Sequence, residues 1–264
     1  MLSLYDEKSL TVHLEDLVGG ALSLYSAALI KARGGVHVFV AEDRDAAAYM
    51  LNDFYALLDE QCVHFFPTSY KKSILYGKED AQGLVQRTNT LNAIRRGDAP
   101  YIVVCTYPEA LAERVADAAT ITGNSIRIAV GDKADMSQLE QQIVDRGFTQ
   151  VDFVYEPGQY SMRGGILDVF SFAESRPYRI DFFGDTVDSI RLFNISSQLS
   201  SDKVQQAEII PNLNSTSPEK VSLARFAGEA TYWFYDADYI LRRVNDLRRR
   251  LLSEMEEPSQ IDSL

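Results

Sequence analysis

The run VHVFVA at residues 36–41 constrains the fold of this chain more than any other short segment. An apolar run of this length is typical of a strand buried on both faces, as found in parallel sheets that helices cover. A helical pattern follows from Asp43, which can cap it, and further strands are predicted at CVHFFP (62–67) and YIVVCT (101–106). This alternation predicts an α/β fold, a parallel sheet with helices on both faces.

The start of the chain gives the same pattern. TVHLE (11–15) is a strand candidate, and ALSLYSAALIKARGG (21–35) is predicted to be a helix that ends on a glycine pair. Between them, DLVGGALS (16–23) lies where a nucleotide-binding domain has its phosphate loop, GxxxxGK[ST].

That loop needs a lysine to neutralise the phosphates and a hydroxyl to bind magnesium. Here a leucine stands at the lysine position and only the serine is kept, so we predict a degenerate loop that does not bind phosphate. Its glycines are then expected to serve close packing of strand and helix. The residues concerned are Gly19, Gly20, Leu22 and Ser23.

The pattern changes after about residue 120. An amphipathic helix is predicted over 135–148, and four runs with a period of two follow: VDFVYE, GILDVF, YRIDFF and TVDSIRLF. Gly184-Asp185 separates the last two and suits a two-residue type II′ hairpin with glycine first. We therefore predict an α+β domain built on an antiparallel meander.

A polar loop at 211–220 leads to one more strand, ATYWFYD (230–236), and a helix from about Asp238. One strand and one helix cannot form a core alone, so this piece is expected to rejoin the first sheet. The α+β domain is then an insertion. The predicted domains are 1–120 (first part of the α/β domain), 121–208 (inserted domain) and 209–264 (returning strand and helix).

Charge and composition argue against several classes of partner. The net charge is −12, whereas nucleic-acid binding needs clustered Lys and Arg. No apolar run approaches the roughly 20 residues of a membrane helix. Cys62 and Cys105 fit buried thiols in a reducing cytosol, so a cytoplasmic location is expected. The arginines of the last helix, 242–250, fit either a solvated face balanced by later glutamates or a basic docking stripe.

Catalytic motifs are not found in the sequence. Each of the three histidines, His13, His37 and His64, lies in or beside a predicted strand, which favours a structural role. The sequence contains no zinc-type Cys/His spacing, no HExxH and no GxSxG. We therefore expect a binding module without metal or cofactor.

Alternation assigns the side chains of YRIDFF (178–183) to two faces. Phe182 falls on the apolar core face, whereas Arg179, Asp181 and Phe183 share the other. Arg163, just before a glycine pair, comes near Arg179 if the strands form a hairpin. Two arginines and an exposed aromatic have the composition of a protein-binding hot spot.

A second interpretation fits equally well. Both arginines could pair with Asp168, Asp181 or Glu156 on a solvated sheet face, while Phe183 folds into the hairpin turn. Periodicity alone does not decide between the two.

Residues 155–200, from YEPGQY to SSQLS, resemble the signature region of bacterial transcription-repair coupling factors and, less closely, UvrB. The motif comprises an E-P-G turn, RGGILD-F, P-RI-FF-D--DSIR-F and a Q-S tail. The resemblance extends weakly over nearly the whole chain. UvrB keeps a working nucleotide loop and carries an aromatic β-hairpin, for which residues 67–80 are too short here, so the coupling factors fit better.

The resemblance implies a degenerate helicase-like (RecA-like) domain and an inserted domain that binds UvrA in nucleotide excision repair. The positions that match are Arg163, Arg179 and Phe183, which we call the Arg–Phe patch, with Asp181 and Phe182 supporting it. It also implies a longer parent protein, whose other domains contact RNA polymerase and DNA and use ATP with magnesium. The alternative is a nucleotide-binding, helicase-type domain of a UvrB-like repair protein.

Overall fold

The structure is a computed structural model that describes residues 11–70, 80–213 and 220–256, with side chains as far as residue 250. Most of the predicted loops at 68–78 and 211–220 lies outside the described residues. No helix in the described part of the chain is long and apolar enough to cross a membrane.

The elements are, in chain order, α1 (Ala21–Arg33), β1 (Gly35–Val40), α2 (Arg44–Leu57), a 3-10 turn (Glu60–Cys62), β2 (Val63–Phe65), α3 (Ala81–Arg96), β3 (Tyr101–Thr106), α4 (Pro108–Ala112), β4 (Val115–Ala116), α5 (Ala118–Asn124), β5 (Ile126–Ala129), α6 (Met136–Asp145), β6 (Thr149–Gln150), β7 (Gln159–Arg163), β8 (Ile166–Val169), β9 (Tyr178–Phe183), β10 (Thr186–Phe193), β11 (Ser200–Val204), β12 (Gln206–Ile209), β13 (Lys220–Val221), α7 (Leu223–Ala227), β14 (Thr231–Phe234) and α8 (Ala237–Glu256).

These elements form two compact units. Of the described residues, the first unit comprises 11–67, 96–112 and 227–256, and the second comprises 68–70, 80–95, 113–213 and 220–226. Each unit has its own sheets. The domain boundaries predicted at 120 and 208 stay predictions.

The first unit contains a parallel sheet of four strands in the order β14-β1-β3-β2. Its central strands are almost fully buried, as the apolar run of β1 predicts. Phe39 of β1 packs against Phe54 of α2, with ring centroids 4.6 Å apart, and stacks on Trp233 of β14 at 5.1 Å. The predicted parallel sheet with helices is confirmed.

Strand β14 is held to β1 by side chains as well as by backbone. The indole N–H of Trp233 donates to Nδ1 of His37 over 3.2 Å, and Nε2 of His37 lies 3.0 Å from the carbonyl oxygen of Gly34. Since Nδ1 accepts, the proton of a neutral imidazole is on Nε2. The ring therefore uses both nitrogens without carrying a charge.

The predicted strand at residues 11–15 is wrong. The side chains of this segment alternate between exposed and partly buried positions, as predicted. The segment nevertheless joins none of the sheets in the described part of the chain. Alternation alone does not make a strand, because a strand also needs a neighbouring strand with which to pair.

The second unit is built on a six-stranded sheet in the order β11-β10-β9-β8-β7-β6. Strands β8, β9 and β10 correspond to the predicted runs GILDVF, YRIDFF and TVDSIRLF and pair as an antiparallel meander. Strands β7 and β11, which the sequence did not predict, extend it on either side, and β6 adds in parallel to β7. One sheet face packs on α6 and on the two-stranded ribbon of β5 and β12. Buried members of this core include Leu139, Ile143, Tyr160, Leu167, Ile180 and Ile190.

Candidate docking surface

The alternation of β9 places the two phenylalanines on opposite faces, as predicted. Phe182 is partly buried and packs against the core of the second unit. Phe183 is 84% exposed, so it does not fold into the hairpin turn. A phenylalanine exposed to this extent leaves apolar surface in water that a partner could cover.

The arginines of the Arg–Phe patch converge on one carboxylate. Asp168 of β8 lies directly opposite Arg179 of β9 in the strand register. It accepts hydrogen bonds from Nε of Arg179 at 2.7 Å and from Nη2 at 2.8 Å. It also accepts one from Nη2 of Arg163 at 3.0 Å. Asp168 is only 1% exposed, so the carboxylate is compensated by the two guanidinium groups.

Arg179 is fixed further by its other contacts. Its Cζ lies 4.5 Å from the ring centroid of Phe193, and its Nη1 donates to the carbonyl oxygen of Gln198 over 3.0 Å. The hydrogen bond to Asp168 raises the pKa of Arg179. Its side chain is 16% exposed, against 46% for Arg163. Arg163 is thus the more accessible cation of the pair.

The segment VDFVYE (151–156), predicted as a strand, is not one. It crosses the second face of the sheet, where Val154 is buried with Phe170 and Phe193 in a small apolar cluster. The amide of Gln198 donates to the carbonyl oxygen of Val154 over 3.2 Å and ties the segment to the β10–β11 connection. This layer explains why Arg179 is mostly covered.

Arg163 and Phe183 each precede a two-residue hairpin. Arg163 pairs with Ile166 across Gly164-Gly165, and Phe183 pairs with Thr186 across Gly184-Asp185. Gly184 has φ +60°, as the first residue of the predicted hairpin requires. The amide of Phe182 donates to the carbonyl oxygen of Gly165 over 2.8 Å, which brings the two turns side by side.

Asp181 belongs to a separate pair. Its Oδ2 accepts from the hydroxyl of Ser189 at 2.8 Å and from Nη2 of Arg191 at 2.5 Å. Of the carboxylates considered from the sequence, Asp168 is therefore the one that pairs with the arginines of the patch. The arginines are therefore paired, as the second interpretation predicts, but Phe183 does not fold into the turn. The protein-binding hot spot stays a prediction.

The segment predicted as a degenerate phosphate loop, residues 16–23, runs into the first turn of α1, so Leu22 and Ser23 lie in the helix. The hydroxyl of Ser23 donates to Oδ2 of Asp53 in α2 over 2.8 Å. The expectation that Gly19 and Gly20 allow close packing is wrong, because a Cβ at either position would meet nothing within 4 Å. Gly19 instead has φ +58°, a conformation that favours glycine.

Two further sets of residues are the histidines, for which the sequence favours a structural role, and the arginine run 242–250, for which it leaves two interpretations open. Within the described ranges, no group of three His, Cys, Asp or Glu side chains could hold a metal ion. On α8, Arg243 pairs with Glu109 and Arg249 with Asp246, so part of the arginine run lies on a solvated, ion-paired face. The glutamates beyond residue 250 lie outside the described side chains.

Residues 126–214 match the family model of the UvrB interaction domain. The transcription-repair-coupling factor of Bacillus subtilis is 29% identical over 75% of this chain and 17% of that protein. The one from Myxococcus xanthus is 30% identical over 81% of this chain and 19% of that protein. UvrABC system protein B of Anaplasma marginale is 26% identical over 78% of this chain and 33% of that protein. These matches confirm the resemblance found at residues 155–200, and the chain spans less than a fifth of the coupling factors it matches.

Proposed function

Because residues 126–214 match the family model of the UvrB interaction domain, we propose that this chain is a non-catalytic docking module that binds UvrA through the Arg–Phe patch. In this proposal the module recruits UvrA to sites of stalled transcription in nucleotide excision repair. The resemblance to transcription-repair-coupling factors supports this role.

The observation that carries the proposal is the exposure of Phe183. Its side chain is 84% exposed at the end of a hairpin whose strands are fixed by the sheet. Burying a phenylalanine stabilises a complex by about 1.5–3 kcal/mol. Aromatic and arginine side chains carry much of the energy of protein interfaces. An aromatic held in place beforehand loses little conformational freedom when it binds.

The two arginines support the interaction in different ways. Arg163 has the accessible guanidinium and can pair with an acidic or polar group of UvrA. Arg179 is largely covered and bonded to Asp168, so it acts mainly by fixing the carboxylate that also orients Arg163. Asp181 and Phe182 shape the surrounding sheet, through the Arg191 pair and the core respectively.

The other activities of the coupling factors are assigned to other parts of a longer parent protein. We propose that contacts with RNA polymerase and DNA, and the use of ATP and magnesium, lie outside this chain. Cys62 and Cys105 are free buried thiols, which suits the cytoplasm proposed here.

The direct test is calorimetric titration of purified UvrA with this chain and with its Phe183→Ala variant. We expect the variant to bind at least 10-fold more weakly, because truncation of a central aromatic typically costs about 2 kcal/mol. Tyr49→Ala is a matched control, since Tyr49 is 75% exposed and lies in the first unit. Equal affinities for all three proteins would refute the site, and no binding by the unaltered chain would refute the function.

A further inference from the structure

Phe153 is a second accessible aromatic next to the Arg–Phe patch. It lies in the segment that crosses the sheet and is 48% exposed. The Cζ atom of Arg163 lies 4.9 Å from the centroid of its ring. A guanidinium at this distance over a ring is attracted to it and loses freedom of orientation.

An open cleft of about 690 Å³ adjoins this contact. Phe153 and Arg163 both line this cleft, together with Gln150, Val151, Asp152, Ser161 and Met162. The cleft is therefore able to receive an apolar side chain beside a cation.

The charges at this point are not balanced. Asp168 is shared by Arg163 and Arg179, so the three groups carry one net positive charge. Among the described residues, Asp168 is the one carboxylate within ion-pair distance of Arg163. Asp152 lines the same cleft, but its side chain forms no ion pair with Arg163. The surplus charge lies on the exposed guanidinium, which retains unused N–H donors.

We propose that Phe153 and Arg163 form a second anchor of the docking surface, at which a carboxylate of UvrA pairs with Arg163 while a neighbouring apolar side chain of UvrA enters the cleft against Phe153. This inference rests on the proposed function and extends its surface beyond the Arg–Phe patch. Docking removes water from Arg163, and charge-assisted hydrogen bonds in such surroundings are stronger than those between neutral groups.

The test compares two substitutions at one position by calorimetry with purified UvrA. Phe153→Ala removes the ring, and we expect it to weaken binding by about 5- to 10-fold, the range of a contributing interface side chain. Phe153→Glu also places a carboxylate beside Arg163, so it should weaken binding more than the alanine variant does. Tyr49→Ala again serves as the matched control, and unchanged thermal unfolding of each variant shows that the fold is intact.

The outcomes separate this inference from the proposed function. If Phe183→Ala loses affinity while both Phe153 variants bind within twofold of the unaltered chain, the second anchor is overturned and the patch stands. If the unaltered chain does not bind UvrA, both are overturned. Salt adds a further check: Arg163→Gln should reduce the salt dependence of the affinity, because it removes the charge that would pair across the interface.

Discussion

Asp168 and Arg179 form a two-point ion pair across neighbouring strands, with 2.7 Å between Nε and Oδ1 and 2.8 Å between Nη2 and Oδ2. The carboxylate is buried and the guanidinium lies over the ring of Phe193. Arg179 therefore has a structural role as well as its proposed part in docking. A variant at this position changes the stability of the fold and the shape of the surface together.

Arg179→Ala is expected to lower the free energy of unfolding by about 2–4 kcal/mol, because it leaves the buried carboxylate of Asp168 with one remaining partner. Arg163→Ala, which removes a half-exposed side chain, should cost less than about 1 kcal/mol. Urea denaturation of the two variants measures both values. Equal losses would contradict the assignment of Arg179 as the buried partner.

Asp168→Asn keeps the size of the side chain but removes the charge that both arginines share. We expect a loss of stability of about 2 kcal/mol and weaker binding of UvrA, because the guanidinium of Arg163 is no longer held. A double-mutant cycle with Arg179→Ala should show a coupling energy of about 1–3 kcal/mol. Additive effects would mean that the pair does not act as a unit.

Stability should fall as the pH is lowered through the range of histidine titration. Burial, with a smaller contribution from the charge of Arg33, holds the pKa of His37 below its ordinary value of 6.5, although the bond to Gly34 opposes this. Burial also lowers the pKa of His64. Because protonation is easier in the unfolded chain, this stability is complete above about pH 6.5 and is lost as the pH falls from there towards the lower pKa of the folded state.

Trp233 is the one tryptophan of the chain and donates to His37, so its fluorescence can follow this transition. Urea unfolding between pH 5 and pH 7.5, monitored by tryptophan fluorescence, measures how the free energy of unfolding changes with pH. This change with pH is the slope. His37→Gln should make the free energy of unfolding depend less on pH. The dependence that remains is then due to His64. A slope unchanged by His37→Gln would show that the imidazole stays neutral in both states or that its proton is not linked to folding.

ATP with magnesium should not raise the melting temperature of this chain, because the segment predicted as a degenerate phosphate loop has Leu22 where a lysine would neutralise the phosphates. Thermal unfolding with and without millimolar nucleotide measures this, since a ligand that binds only the folded state must stabilise it. A shift that grows with nucleotide concentration would favour the alternative of a nucleotide-binding domain.

The sequence predicts the parallel sheet and the meander well because each kind of burial leaves its own pattern. A strand buried on both faces is a continuous apolar run, and a strand buried on one face alternates between apolar and polar residues. The sequence also places Phe182 and Phe183 on their faces, since alternation fixes that choice. It predicts less well where a segment has the right period but does not pair with a strand. TVHLE and VDFVYE are two such segments, and in VDFVYE the buried residue, Val154, packs against Phe170 and Phe193 instead.

The contacts of the arginines also depend on information that the sequence lacks. Asp168, Asp181 and Glu156 are all near enough in the chain to be partners of Arg163 and Arg179. The strand register makes Asp168 the partner, because it places Asp168 directly opposite Arg179. The sequence does not single out Phe153, because its contact with Arg163 depends on a segment that crosses the sheet. The one hint is an aromatic residue in a predicted strand next to the motif.

The pairing of β14 with β1 has a consequence for the synthesis of the protein. Trp233 and His37, which join these strands, are 196 positions apart. At about 5–20 residues per second, the ribosome needs about 10–40 s to make the residues between them. Until Trp233 has been made, β1 can pair with β3, but its other edge stays open. The strands of the meander in the second unit are made before Trp233. The inserted unit can thus be complete before the first one closes, and the interval exposes an apolar strand edge to chaperones or to misassembly.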